Sequence, residues 1–273
     1  MTSVRFRKLV RKALPPIIVD AMRRLQKAEE REEPEWEYAP LGWATKSLRI
    51  EGWNDESAAE VQKALFLKLL ERTKTTQPLH SSYDAHHLLM CYAYVLALTA
   101  RRKEKISLLD WGGGVGYYYL LSKVLVPNLE IEYYNYDLPR IREVGRQLLP
   151  EGTFYEDFEE CLKRKYDLVL ASNSLKYFEN WRNIVRRLSS ATHAYLYVTL
   201  DMVINTASFV TLQRLRGMGY KTEFLSWFLN RQEFLDCVSQ AGMDLVREFP
   251  IQGTLVSNAP EQGEHRGFLF RTR

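Results

Sequence analysis

LLDWGGGVGYYYLL, residues 108–121, places four glycines in five positions directly after an apolar run. Glycine loses more backbone entropy on folding than any other residue. Such a cluster marks a tight turn or a place where another group comes close to the backbone. Upstream, Ile106–Asp110 reads as a buried strand; downstream, Tyr118–Val126 reads as a helix. A strand, a glycine turn and a helix start together offer free backbone N–H groups, which suit a ligand carboxylate or phosphate.

From this point onward strand and helix patterns alternate. Strands are expected at 131–137, 153–158, 166–174, 193–200, 244–251 and 267–273, and helices at 140–149, 180–190 and 231–243. With Ile106–Asp110 this predicts an α/β fold: a doubly wound, mostly parallel, seven-stranded sheet. Residues 54–73 and 81–102 read as two further helices, the first capped by Asn54 or Asp55. The stretch 36–53, with Trp36, Trp43 and Trp53, reads as an irregular packed region. The stretch between Thr199 and Asn230, with Gln213, Arg214, Phe224, Trp227 and Phe228, reads as a long insertion; a substrate lid with a sugar-binding face, an ordinary hydrophobic cover and a dimer contact all stay open for it.

Composition narrows the function classes. The three cysteines, Cys91, Cys161 and Cys237, lie far apart, with no CxxC or Cys/His cluster, so neither a disulfide framework nor a metal site is expected. No apolar run approaches the roughly 20 residues of a membrane span. Residues 1–27 hold eight Lys/Arg against Asp20, a local charge of +7, so the remainder of a chain of net +4 carries −3. A mildly acidic body argues against nucleic-acid binding. Residues 4–27 read as an N-terminal helical extension split by Pro15 and Pro16. Two roles stay open for it: docking on the body, or resting on an anionic membrane surface. A cytoplasmic protein, in the second case peripheral to the inner face of the membrane, is expected.

The glycine loop satisfies D-x-G-x-G-x-G through Asp110, Gly112, Gly114 and Gly116. The dinucleotide pattern fails at Tyr117 and Tyr119, and no GK[ST] follows for a P-loop. Over about residues 80–273 the chain resembles class I S-adenosylmethionine-dependent methyltransferases, with their Rossmann-like sheet. In DWGGGVGYYY, YNYDLPRIREVG, ASNSLKYFENW and FLSWFLNRQEFL it is similar to methyltransferases of bacterial surface-polysaccharide biosynthesis clusters. The resemblance implies S-adenosylmethionine as cofactor, bound by Asp110, Gly112, Gly113, Gly114, Gly116, Asp137, Asp157 and Asn173. It places Asp137 on the ribose hydroxyls and Asp157 by the adenine amine. Independently, a carboxylate at a strand end is able to accept two hydroxyls at once.

Substrate contact is expected from Tyr83, Ser174 and Tyr177. The general base stays open among His86, His87 and His265. Adjacent histidines on a helix point about 100° apart, so His86 and His87 do not share a site. The turn after the fourth strand reads LKYF and lacks the histidine that many of these enzymes carry there. The expected domains are 1–79, an extension with linker and helical cap, and 80–273, the cofactor-binding domain. The implied function is methyl transfer to a small-molecule or glycan acceptor, a sugar hydroxyl first. A phenol or amine acceptor, or a cofactor-binding scaffold without catalysis, remains as the alternative.

Overall fold

The computed structural model describes residues 34–273 apart from 47–48, 81, 216–218 and 256–257. The expectations for 1–27 and for most of the linker lie outside these residues. Two compact units divide the chain, Met1–Pro34 and Glu35–Arg273. Residues 35–79, grouped above with the extension, thus belong to the larger unit.

The seven expected strands form one continuous path. They are β2 (Lys105–Trp111), β3 (Glu130–Tyr136), β4 (Thr153–Tyr155), β5 (Tyr166–Ser172), β6 (Thr192–Ile204), β9 (Met243–Leu255) and β10 (Gly263–Thr272). In space they run β4-β3-β2-β5-β6-β10-β9. The first five are parallel, and β10 and β9 are antiparallel. Strand order reverses between β2 and β5, so a crevice opens beyond their carboxyl ends.

The alternation of side chains along these strands divides the core between two faces. Leu109, Trp111, Val169, Ala171, Leu196, Val198, Phe268 and Phe270 pack on one face. There they meet α6 (Trp181–Ala191) and α7 (Arg231–Gln240), through Trp181, Leu188, Phe234 and Val238. Ile106, Leu108, Leu168, Leu170, Tyr197 and Leu269 pack on the other, against α2 (Tyr83–Ala100) and α3 (Tyr117–Leu125). Burial on both faces explains why β2 has no polar-apolar alternation: every residue after Lys105 is buried.

Local signals set the helix starts. Asp55 caps α1 (Glu56–Thr73) by accepting the Ser57 N–H at 2.8 Å. Ser82 caps α2 through the Ala85 N–H at 3.2 Å, and Asn230 caps α7 through that of Glu233 at 2.9 Å. Pro139 opens α4 (Pro139–Leu148), where its missing N–H costs nothing.

The stretch between Thr199 and Asn230 is more ordered than its sequence suggested. It contains β7 (Phe209–Gln213) and β8 (Phe224–Asn230), an antiparallel pair. β8 joins the end of β6 in parallel, at Val203–Leu229 and Ile204–Asn230. β1 (Trp36–Tyr38) adds an outer antiparallel strand on β7. The expected third strand is also shorter: it stops at Tyr155, and Asp157 caps the short helix α5 (Phe158–Cys161).

Candidate functional site

The glycine loop takes its shape from left-handed backbone. Gly112, Gly114 and Gly116 have φ of +66°, +60° and +100°. A Cβ on Gly112 would sit 2.3 Å from the Ser174 Cβ, and one on Gly113 2.2 Å from the Asp110 Cγ. Beneath the loop, the Tyr133 hydroxyl donates to Asp110 Oδ2 at 2.8 Å. Asn135 Nδ2 donates to the Gly114 carbonyl at 3.2 Å. Asp110 is fully buried, and burial pushes its carboxyl up to about 7.

Asp137 follows β3 and joins the loop from its side. Its Oδ2 accepts the Gly114 N–H at 2.7 Å and its Oδ1 the Leu138 N–H at 2.6 Å. Each oxygen keeps a further lone pair for a ligand hydroxyl. Burial pushes this carboxyl up to about 6, against the opposing pull of those two N–H bonds.

The turn after β5 supplies the next wall. Asn173 has a left-handed φ of +51°, uncommon without a glycine. Its N–H donates to the Thr199 carbonyl at 3.0 Å, while its buried Oδ1 has no partner. Ser174 Oγ donates to the Trp111 carbonyl at 2.9 Å, tying this turn to the glycine loop.

A cleft of about 650 Å³ connects these parts. Gly112, Gly114, Asp137 and Leu138 line it from the loops after β2 and β3. Asn173, Ser174, Tyr177 and Asp201 line it from the turn after β5 and from β6, and Trp43, Trp53, Gln213, Tyr220 and Phe224 add an aromatic and amide wall. Gln62 of α1 lies over the loop: its Oε1 would stand 2.9 Å from a Cβ on Gly114. The site is thus a glycine cradle and a strand-end carboxylate, continuous with a second pocket of mixed aromatic and amide character.

A family described as "Methyltransferase domain" matches residues 83–248. The chain belongs to this family. No curated protein matches it. Solved structures similar to this methyltransferase include magnesium protoporphyrin IX methyltransferase from Synechocystis with bound SAM. That pair is 13% identical, with TM-score 0.46 over 79% of this chain and 97% of the other. A S-adenosylmethionine-dependent methyltransferase from Clostridium acetobutylicum is 10% identical, with TM-score 0.48 over 77% and 96%. One from Listeria monocytogenes is 11% identical, with TM-score 0.49 over 66% and 97%.

Of the residues that the sequence singled out in this methyltransferase, Gly112, Gly114, Asp137, Asn173, Ser174 and Tyr177 line the cleft. Asp110, Gly113 and Gly116 do not: they shape the loop from below, Asp110 through Tyr133 and Gly116 as the cap of α3. Asp157 is exposed, and its carboxylate accepts the Glu159 N–H at 2.9 Å, which employs it as a helix cap. Tyr83 stands 90% exposed at the start of α2. His86 is exposed as well, and His87 Nε2 lies 2.9 Å from the Pro250 carbonyl. None of these three lines the cleft, because α2 packs along a face of the sheet and not over its carboxyl edge. His265 sits in a bulge of β10, its Nε2 buried without a partner, near Asp201 and Lys176 but outside the cleft lining.

Sequence reasoning missed Asp201, Gln62, Trp43 and Trp53 as individual site residues, whereas Gln213 and Phe224, named within the insertion, line the cleft. The aromatic richness of 36–53 and 199–230 was a signal for the region, not for the positions. Trp53 stacks among Tyr177, Tyr220 and Phe224, with ring centroids 5.1, 5.4 and 4.4 Å away. These contacts join segments that are far apart in the chain.

Proposed function

We propose that this protein is an S-adenosylmethionine-dependent methyltransferase acting on a hydroxyl of a small-molecule or glycan acceptor, a sugar hydroxyl first. One observation carries this reading: a single cleft runs from the glycine cradle and Asp137 to an aromatic and amide-lined pocket. The cradle fits the cofactor. Gly112 and Gly114 line the cleft, Asp137 keeps lone pairs for two hydroxyls, and the buried Asn173 Oδ1 lacks a partner.

S-adenosylmethionine is the cofactor; when bound it supplies a methyl group activated on a sulfonium. Gly112 and Gly114 admit its methionyl end, Asp137 holds its ribose, and Leu138 and Ile141 flank its base. Asp110, Gly113 and Gly116 keep the loop in shape. Ser174 and Tyr177 face the acceptor. The protein's share of the chemistry is alignment of the acceptor oxygen and exclusion of water. α1 and the β7–β8 ribbon wall in the cleft and serve the second purpose. Aromatic rings beside the Gln213 and Asn173 amides support a sugar, whose faces are apolar and whose edges carry hydroxyls.

Calorimetric titration tests this. S-adenosylmethionine and S-adenosylhomocysteine are expected to bind with micromolar-range affinity, and NADH is expected not to bind. Binding of NADH alone would overturn the assignment.

We also propose a cytoplasmic setting, and that residues 1–27, with their charge of +7, hold the protein to an anionic membrane surface. Among the described residues no helix is long and apolar enough to cross a membrane. Deleting 1–27 is expected to abolish sedimentation with phosphatidylglycerol vesicles and to leave S-adenosylhomocysteine affinity unchanged. Retained sedimentation would place the attraction elsewhere.

A further inference from the structure

Asp201 occupies a gap in the sheet. β5 pairs with β6 as far as Ser172–Thr199, and β8 takes up the pairing at Val203. β10 occupies the opposite edge of β6 through Val203. Between those rungs β6 runs on without a neighbour on the cleft side, and Asp201 lines the cleft there. The β5 turn sends Lys176 into the same gap, where its Nζ donates to Asp201 Oδ1. Lys176 is 1% exposed and lies 5.0 Å from the Trp36 ring centroid and 4.7 Å from that of Tyr177. One carboxylate oxygen is therefore anchored from behind, while the residue opens forward on the cleft.

The stations of the cleft follow neighbouring strands: Asp137 after β3, the loop after β2, Asn173 after β5, Asp201 on β6. Adjacent strands are about 4.8 Å apart, so Asp201 stands roughly 14 Å from the ribose station. That lies beyond the reach of the ribose and on the acceptor side of the cleft. Lys176 offsets Asp201 from behind, but the charged residues that line the cleft itself are all acidic. Glu51, Asp137 and Asp201 line the cleft, and no Lys, Arg or His does so among the described residues.

We infer that Asp201, anchored by Lys176, is the carboxylate that faces the transferred methyl and hydrogen-bonds the acceptor's hydroxyl. This deepens the methyltransferase reading and rests on it. With Lys176 held behind it, Asp201 presents its carboxylate to the cleft, and in a site half shielded from water this favours a cation at the methyl position.

Cofactor analogues test this without knowledge of the acceptor. Sinefungin carries an ammonium where the transferred methyl stands, S-adenosylmethionine carries the sulfonium, and S-adenosylhomocysteine is neutral there. In Asp201→Asn, affinity for the two cationic ligands is expected to fall about tenfold by calorimetry, and that for S-adenosylhomocysteine to change less than about twofold. Asp201→Glu is expected to restore the preference. If Asp201→Asn leaves buried Lys176 unpaired and does not fold, Lys176→Met with Asp201→Asn removes both charges and is read in the same way. Equal losses for all three ligands, or no loss for any, would overturn the proposal. A wild-type protein that binds none of the three overturns the methyltransferase reading itself.

Discussion

Asp137→Ala is expected to weaken S-adenosylhomocysteine binding about a hundredfold while the protein stays folded. The carboxylate offers one lone pair on each oxygen to a ligand hydroxyl, beyond the Gly114 and Leu138 N–H bonds it already accepts. A hydrogen bond to a charged group contributes about 1.5 kcal/mol or more, and two of them give about 3 kcal/mol, or two decades in affinity. Calorimetry reads the loss directly, and circular dichroism checks the fold. An affinity within threefold of wild type would show that the ribose is held elsewhere.

The same residue sets a pH dependence. Its carboxyl is pushed up to about 6 by burial, so it protonates well within the range where the protein can be studied. Only the ionised form accepts both hydroxyls. A ligand that binds this form holds the proton off. Affinity is therefore expected to be flat above pH 7 and to fall about tenfold per unit below about pH 6. In Asp137→Asn that bend is expected to disappear.

Gly112→Ala is expected to abolish detectable cofactor binding and to cost about 3 kcal/mol or more of stability. Two causes add. The residue sits at φ +66°, and its Cβ would meet the Ser174 Cβ at 2.3 Å. Left-handed backbone costs an L residue roughly 1–2 kcal/mol, and overpacking typically adds about 1–3 kcal/mol. Ser174 has little room to yield, since its Oγ is bonded to the Trp111 carbonyl. Gly42→Ala provides the control. Its φ is +57°, but a Cβ there meets nothing within 4 Å. It is expected to lose only about 1 kcal/mol and to bind normally. Denaturant titration of the two variants separates backbone strain from collision.

Much of the proposed cofactor end of the cleft was legible in the chain. DWGGGVG after an apolar run, and an aspartate closing the strand ahead of Pro139, are local patterns. Backbone sterics and strand periodicity act between residues a few positions apart, so such patterns need no knowledge of the rest of the molecule. The seven strands were legible for the same reason, as short apolar runs bounded by turns and helices, whereas their order in space came only from the pairing.

Other features followed only from residues meeting across the fold. Asp157 reads as a ligand-facing acid in sequence, yet a helix begins at its side and takes its carboxylate as a cap. FVTLQ and FLSWFLN read as parts of a cover, yet they became β7 and β8 because β6 overruns β5 and leaves an edge to pair. Asp201 lies just beyond the expected strand 193–200, at the start of the stretch read as an insertion. Its exposure to the cleft depends on where β5 stops, where β8 starts and where Lys176 arrives. Gln62 and Trp53 likewise reach the loop and the aromatic pocket only because α1 packs across α3 and α4. The sequence by itself thus determined the seven main strands, the glycine loop and the carboxylate beside it, because near neighbours along the chain decide them. The tertiary structure alone decided the proposed acceptor end, because its walls come from segments that lie far apart in the chain.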